Sequence, residues 1–279
     1  MTSDYRCFFC FARAFERLIE KENLSIQEKN AFTRKMATLY NAYGNSFSAP
    51  AYARDLHTIL RSYTHNPDPY LTEKQAHNSF VINLYPALKR QVEQSEDPLD
   101  TAFRLAIAGN IIDFAIGSEF DIPQTIEKVL HTPFAIDHSA ALKDAIAGAK
   151  TILYLGDNAG EIVFDKLLIE TINHPNLYFA VRGSPVMNDA TLDDAHEIGM
   201  DKVANVISNG YDAPSTIVDC CSESFQQLFC EASLILSKGQ GNLEGLLGKT
   251  EKEIFFLLMV KCNVIAETLQ VKKGDFVIM

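Results

Sequence analysis

The sequence predicts an α/β fold: a C-terminal doubly wound, mainly parallel sheet with helices on both faces, preceded by an all-helical N-terminal domain. Three observations carry this reading. Apolar residues recur at helical spacing from residue 5 to about residue 130, and from residue 151 the pattern changes to short β-rich runs, each followed by a polar turn and a helical stretch. No repeat or low-complexity segment interrupts the alternation. The division falls near residue 145, within the alanine-rich stretch 140–149, giving a helical domain over 1–145 and an α/β domain over 146–279.

In the first half the helical stripe is carried by Phe9, Ala12, Phe15, Leu18 and Ile19, and later by Ala102, Leu105, Ala106, Ile111, Ile112, Phe114 and Ala115. Breakers cut it at Ser48-Ala49-Pro50, at His65-Asn66-Pro67-Asp68-Pro69 and at Asp97-Pro98, where proline removes a donor and drives the preceding residue out of the helical region. Four to six helices fit between these points. In the second half, runs 151–155, 177–181, 203–208 and 233–237 lead into polar loops at 156–160, 182–188, 209–210 and 238–242. Runs 254–260 and 276–279 are closing strands. Strands alternating with helices at this spacing pair in parallel through right-handed crossovers.

Composition narrows the functional classes. At 279 residues with 47% apolar content the chain can bury a sizeable core, and its formal net charge of −11 excludes a general attraction to nucleic-acid phosphates or anionic lipid. No run approaches the roughly 20 apolar residues that span a bilayer. Asp4, Arg6 and two cysteines within the first ten residues do not have the order of a secretory leader, so a soluble, cytoplasmic protein is expected. Six cysteines are too few for a disulfide scaffold in a chain this long.

Ligands of open parallel sheets bind beyond the carboxyl ends of the strands, where loops diverge and helix N-termini direct free N–H groups inward. Polar residues concentrate at that edge: Asp157, Asn158 and Glu161 in the first loop, Arg182, Asn188 and Asp189 in the second, and Lys238, Gln240 and Asn242 in the fourth. Carboxylate and amide oxygens suit a hard divalent cation, so Asp157, Asn158 and Asp189 form a candidate magnesium- or manganese-type site. Lys238 and Arg182 add positive charge, completing the parts that hold a phosphoryl group and stabilise charge as it moves. Singly, Asp157 and Asp189 serve equally as helix caps and Lys238 as a solvated loop cation, and the Lys-Gly-Gln-Gly-Asn run lacks the spacing of a Walker loop. Caps, however, need one polar residue per helix, whereas several of these loops carry two or three.

The motifs Leu-Gly-Asp-Asn-Ala-Gly-Glu-Ile-Val-Phe-Asp (155–165), Arg-Gly-Ser-Pro-Val-Met-Asn-Asp-Ala-Thr (182–191) and Ser-Lys-Gly-Gln-Gly-Asn (237–242) resemble those of the damage-control phosphatases, the domain of unknown function 89. Ala-Gly-Asn-Ile-Ile-Asp-Phe (108–114) and Lys-Cys-Asn-Val-Ile-Ala (261–266) are also similar to family segments, so the resemblance spans nearly the whole chain. It implies a helical part packed on an α/β domain, a divalent ion such as manganese, cobalt, nickel or magnesium, and hydrolysis of small phosphorylated metabolites. Carried across, Asp157, Asn158 and Asp189 are the metal ligands and Lys238 contacts the substrate phosphate, so that Asp157 and Lys238 carry catalysis. Glu161, Arg182, Asn188 and Asn242 take places in the cleft. Asn110 and Asp113 either reach the same cleft from the helical half or form a hydrogen-bonded pair at a domain contact. The nucleophile is a water or a nearby carboxylate.

Cys7 and Cys10 form a Cys-x-x-Cys pair, and with Cys262 the pattern resembles the cysteine-containing archaeal and bacterial branch of the family. The three are either small buried hydrophobes or, with a histidine such as His57 or His65, ligands of zinc or iron. Cys220, Cys221 and Cys230 fall on an expected helix. Two other functions share these loops: a carboxyl methyltransferase, named in a distant branch of the family, and a non-catalytic metal- or nucleotide-binding module. A methyl-donor nucleotide favours an acidic residue at the end of the second strand, where this chain has Arg182-Gly183.

Overall fold

The alternation of the second half, joined by one strand from before residue 145, builds a seven-stranded sheet in the order β1-β7-β6-β5-β2-β3-β4. Its strands are β1 (Phe134–Asp137), β2 (Ile152–Leu155), β3 (Leu177–Val181), β4 (Asn205–Ser208), β5 (Leu234–Lys238), β6 (Ile254–Met259) and β7 (Phe276–Ile278). The computed structural model describes residues 4–115 and 122–279, with the side chains of residues 46, 110–115, 122, 123 and 125 outside the description. All neighbouring strands pair in parallel except β6 with β7. Strand β1 was not foreseen: Phe-Ala-Ile-Asp is a four-residue edge strand in which only Phe134 is buried, too short to show a period of two between two helical stretches.

Among the described residues the helices are α1 (Tyr5–Lys21), α2 (Ile26–Tyr43), α3 (Ala49–Thr64), α4 (Leu71–Glu93), α5 (Pro98–Ala115), α6 (Ile122–His131), α7 (Ser139–Gly148), α8 (Glu161–Ile172), α9 (Leu192–Glu197), α10 (Glu223–Glu231), α11 (Gly239–Leu246) and α12 (Asn263–Leu269). Local chemistry sets their ends. Ser25 and Glu28 form a reciprocal capping box that opens α2, Pro50 sits in the first turn of α3, and Pro98 is the first residue of α5, where a missing N–H costs nothing. His65, in the left-handed region at φ 52°, closes α3 before Pro67 and Pro69.

Strands β2 and β5 are buried along their whole length, which requires helices on both faces. Ile152, Tyr154, Phe179, Leu236 and Leu257 point to one core shared with α4, α5 and α8, and the alternate residues Leu153, Leu155, Ile235 and Leu258 point to a second with Phe225, Leu243 and Ile265. A third cluster, built on Phe15, Phe32, Met36, Tyr52, Leu56 and Leu60, belongs to α1–α3. The helical half therefore has two parts, one with its own core and one packed on the sheet. Among the described residues no helix is long and apolar enough to cross a membrane.

His57 lies inside the third cluster, its ring 4.8 Å from that of Phe15 and 5.9 Å from that of Tyr70, and Cys7 packs against the same cluster. Burial, reinforced by the charge of Arg61, pushes its imidazole down to about 4. The folded state thus refuses a proton that the unfolded chain accepts near 6.5, so stability is fully present above 6.5 and is lost as pH falls to about 4, by about 3 kcal/mol. A His57→Gln variant should lose that component, so that its melting temperature falls less than the wild type's between pH 7 and pH 4.5. Parallel falls in both proteins would refute the assignment.

Candidate metal and phosphate site

Strands β5, β2 and β3 are neighbours, so the loops that follow them open side by side at one sheet edge. The first loop extends the ladder, Gly156 N–H donating to Ala180 O at 2.9 Å, before the chain turns through Asp157 and Asn158. Asn158 and Asp189 then form a short antiparallel bridge, with Ala159 N–H donating to Asn188 O at 2.9 Å and Ala190 N–H to Asp157 O at 2.8 Å. This backbone pairing brings together residues far apart in sequence.

Arg182, at the end of β3, fixes the side chains. Its Nε donates to Asp189 Oδ2 at 2.6 Å, Nη2 to Asp157 Oδ1 at 3.3 Å, and Nη1 to Asn242 Oδ1 at 3.0 Å and Thr216 Oγ1 at 3.4 Å. Asn158 Nδ2 donates to Asp157 Oδ2 and Glu161 Oε2, both at 3.3 Å. Asn242 in turn donates to the carbonyls of Gly156 and Lys238, clamping the start of α11 against the first loop. Gly239 adopts φ +75°, and a Cβ there would lie 2.0 Å from Asp157 Oδ2, so the Asp157 carboxylate occupies the space a side chain would take.

Asp157, Asn158, Asp189, Arg182, Glu161 and Asn242 are therefore buried in one network. Lys238 is buried behind it, donating to Glu161 Oε1 at 2.8 Å, Asp165 Oδ1 at 2.5 Å and the Ala106 carbonyl at 2.8 Å. All three of its N–H donors are engaged by protein oxygens. Asn188 supplies its backbone carbonyl to the bridge. Asn110 and Asp113 lie near the end of α5, and their side chains fall outside the described residues. That helix does reach the site: besides the Ala106 carbonyl, a Cβ at Gly109 would lie 2.9 Å from Glu161 Cγ.

The electrostatics test whether a cation fits. Four buried carboxylates, Asp157, Glu161, Asp165 and Asp189, face two buried cations, Arg182 and Lys238, which leaves an excess of two negative charges. Burial, then the charges of Glu161 and Asp189, drives the Asp157 carboxyl well above its usual range, while Lys261 and Arg182 oppose the rise. Burial likewise raises Asp189 against the pull of Arg182. Asp165 is pushed up to about 6, again by burial first. Burial presses on the Lys238 ammonium, yet the charges of Asp165 and Glu161 hold it above its ordinary value. A hard divalent ion would offset the excess charge, and two carboxylates with an amide oxygen are donors it accepts. The residues present fit such an ion. Among the described residues no group of three or more His, Cys, Asp or Glu side chains is arranged to hold a metal, so the donor set depends on the Asn158 amide.

Sequence reasoning missed three residues. Asp165 lies one helical turn after Glu161 on α8, and its Oδ1 also accepts from Tyr154 Oη at 2.8 Å. The i,i+4 spacing of Glu161 and Asp165 was the available signal for it. Thr216, whose Oγ1 donates to Asn242 Oδ1 at 2.9 Å, gave none. Lys261 follows β6, half-buried, with its backbone N–H held by Gln240 Oε1 at 3.0 Å. Its charge acts on both Asp157 and Asp189, and its amino group makes no hydrogen bond or ion pair with the described residues.

The cysteines are all free thiols. Cys7 is half-buried and Cys10 exposed on α1, and burial, with the nearby charges of Glu244 and Asp4, pushes the Cys7 thiol up to about 11. Cys262 Sγ accepts from Gln240 Nε2 at 3.4 Å, so the thiols of Cys7 and Cys262 adjoin the fourth loop. Of the other three, only Cys230 lies on a helix of the α type, because Cys220 ends a 3-10 turn and Cys221 follows it.

The model of the damage-control phosphatase ARMT1-like domain matches residues 3–277. The chain belongs to this family. It is 33% identical over 284 residues to the damage-control phosphatase PH1575 of Pyrococcus horikoshii, covering 100% of this chain and 98% of that protein. A damage-control phosphatase of Archaeoglobus fulgidus is 34% identical over 217 residues, 75% of each chain. The crystal structure of the Pyrococcus horikoshii family protein superposes with a TM-score of 0.92 at 32% identity, covering 100% of this chain and 99% of that one. Two members of the family to which this chain is similar are thus named as phosphatases.

Proposed function

We propose that this chain is a metal-dependent phosphatase that hydrolyses small phosphorylated metabolites. The observation that carries the reading is the convergence of Asp157, Asn158 and Asp189 around Arg182, in a buried cluster with more carboxylates than cations. The names of its relatives support the phosphatase type. Asp157, Asn158 and Asp189 would hold the divalent ion, manganese, cobalt, nickel or magnesium. Such an ion, when bound, supplies Lewis-acid stabilisation of charge on phosphoryl oxygens.

Arg182 holds the two carboxylates at a fixed separation, and Asn242 and Thr216 hold Arg182. Lys238 orients Glu161 from behind. The donors of Arg182 and Lys238 are directed at protein oxygens, which supports giving the contact with the substrate phosphate to Lys261 in this reading. Replacing it with methionine should raise KM for a phosphate ester roughly 10- to 100-fold, the loss expected for one charge-assisted hydrogen bond, with metal affinity little changed. An unaltered KM would remove Lys261 from the phosphate.

Incubation with a generic aryl phosphate and manganese tests the whole reading. Inorganic phosphate released without any methyl donor separates a phosphatase from a carboxyl methyltransferase and from a metal- or nucleotide-binding module. No release with manganese, cobalt, nickel or magnesium would sink it.

A further inference from the structure

Helix α4 contributes a buried amide to both halves of the site. Asn78 is 0% exposed; its Oδ1 accepts the Gly160 N–H at 2.7 Å and its Nδ2 donates to Glu197 Oε2 at 2.8 Å. Gly160 ends the loop that carries Asp157 and Asn158 and stands at the N-cap of α8, with φ +78° and no side chain with which to cap. Glu197 ends α9, the helix that follows Asp189. One amide therefore ties the first loop to the helix anchoring the second.

The tie is reinforced one turn earlier. Lys74 Nζ, also buried, lies 2.9 Å from Asp194 and 2.9 Å from Asp68, and Asp194 caps the start of α9 by accepting from Thr191 N–H at 2.9 Å and Thr191 Oγ1 at 2.7 Å. The helix packs directly on the loop as well: a Cβ at Gly160 would lie 2.9 Å from His77 Cβ. Lys74 and Asn78, four residues apart on one face, thus grip α9 at both ends and α8 at its start. Between these anchored points lie the residues that carry Asp157, Asn158 and Asp189.

We propose that Asn78 is a positioning residue for the metal and phosphate site, setting the spacing between the Asp157-Asn158 corner and Asp189 by fixing Gly160 against α9. The inference rests on the metal-dependent phosphatase reading for its functional meaning. An amide is the side chain that both accepts from a backbone N–H and donates to a carboxylate at this place. Aspartate would still accept from Gly160 but would set a second carboxylate against Glu197, where glutamine at position 197 could restore a donor.

The experiment compares wild type, Asn78→Asp and the double variant Asn78→Asp/Glu197→Gln as full chains. Three quantities are read: manganese affinity by titration calorimetry of metal-free protein, melting temperature without metal, and the NMR shift of the Arg182 Nε–H, which reports its bond to Asp189. Asn78→Asp should weaken manganese binding roughly 10- to 100-fold, as loss of a group that orients ligands does, and should move the Arg182 signal in metal-free protein. The double variant should return both toward wild type. A lowered melting temperature with unchanged manganese affinity and an unmoved Arg182 signal would overturn the proposal, since Asn78 would then serve stability alone. Wild-type protein that binds none of manganese, cobalt, nickel or magnesium would sink the phosphatase reading by itself, while the Arg182 signal would still decide whether Asn78 positions the loops.

Discussion

Replacing Asp157 with alanine is expected to abolish uptake of a divalent ion and to reduce phosphate release at least on the order of 10³-fold, about 4 kcal/mol of lost stabilisation. The argument is specific to the side chain. The Asp157 backbone carbonyl, which accepts from Ala190 and closes the bridge between the loops, survives the substitution. Arg182 keeps its bonds to Asp189 and Asn242 and loses only the longer one to Asp157. Removing a carboxyl that burial and like charges hold well above its usual range also relieves a cost in the metal-free chain. Melting temperature without metal should therefore hold or rise while function disappears. That opposition of signs distinguishes a ligand from a helix cap, whose loss would cost about 1 kcal/mol of stability and leave turnover intact. A purified variant with normal metal-dependent turnover would show the ligand assignment to be wrong.

How much of this was legible in the sequence depended on how local the signal was. Strands β2 and β5 announced themselves because Ile152-Leu153-Tyr154-Leu155 and Leu234-Ile235-Leu236 are continuous apolar runs ended by glycine-bearing loops. The grouping of Asp157, Asn158 and Asp189 followed from topology, since parallel neighbours open their loops at one edge. Hidden from the sequence was the partition of roles among the cations. Lys238 ends β5 and Lys261 follows β6 at the same edge, and nothing local says that one is enclosed by Glu161, Asp165 and the Ala106 carbonyl while the other is half-buried with its amino group unbonded among the described residues. Those partners come from α8 and α5, 73 to 132 residues away. The same holds for Asn78: an amide inside a helix has no sequence signal for gripping a glycine 82 residues onward.

Substitution of Lys238 by methionine should be the most destabilising single change in the site. Its ammonium, 0% exposed, stands between Glu161 and Asp165, which are as deeply buried, so removing it takes away the cation that both carboxylates share. Breaking a buried pair by deleting one partner costs about 3–5 kcal/mol, and for a chain of this size that lowers the melting temperature on the order of 10 °C. The pH dependence carries its own sign. Asp165 already titrates near 6 in the folded chain, above its unfolded value of 3.8, so its protonated form is the better tolerated one and stability is lost as pH rises through the folded value. Without Lys238 to hold it down, its carboxyl rises further. The gap in melting temperature between variant and wild type should therefore be widest at pH 8 and narrow toward pH 5, and adding Asp165→Asn should close part of it at pH 8. A lysine whose role was confined to the substrate would behave otherwise: Lys238→Met would lose turnover at an unchanged melting temperature, and that result would remove the buried ion cluster as the reason for its place in the motif.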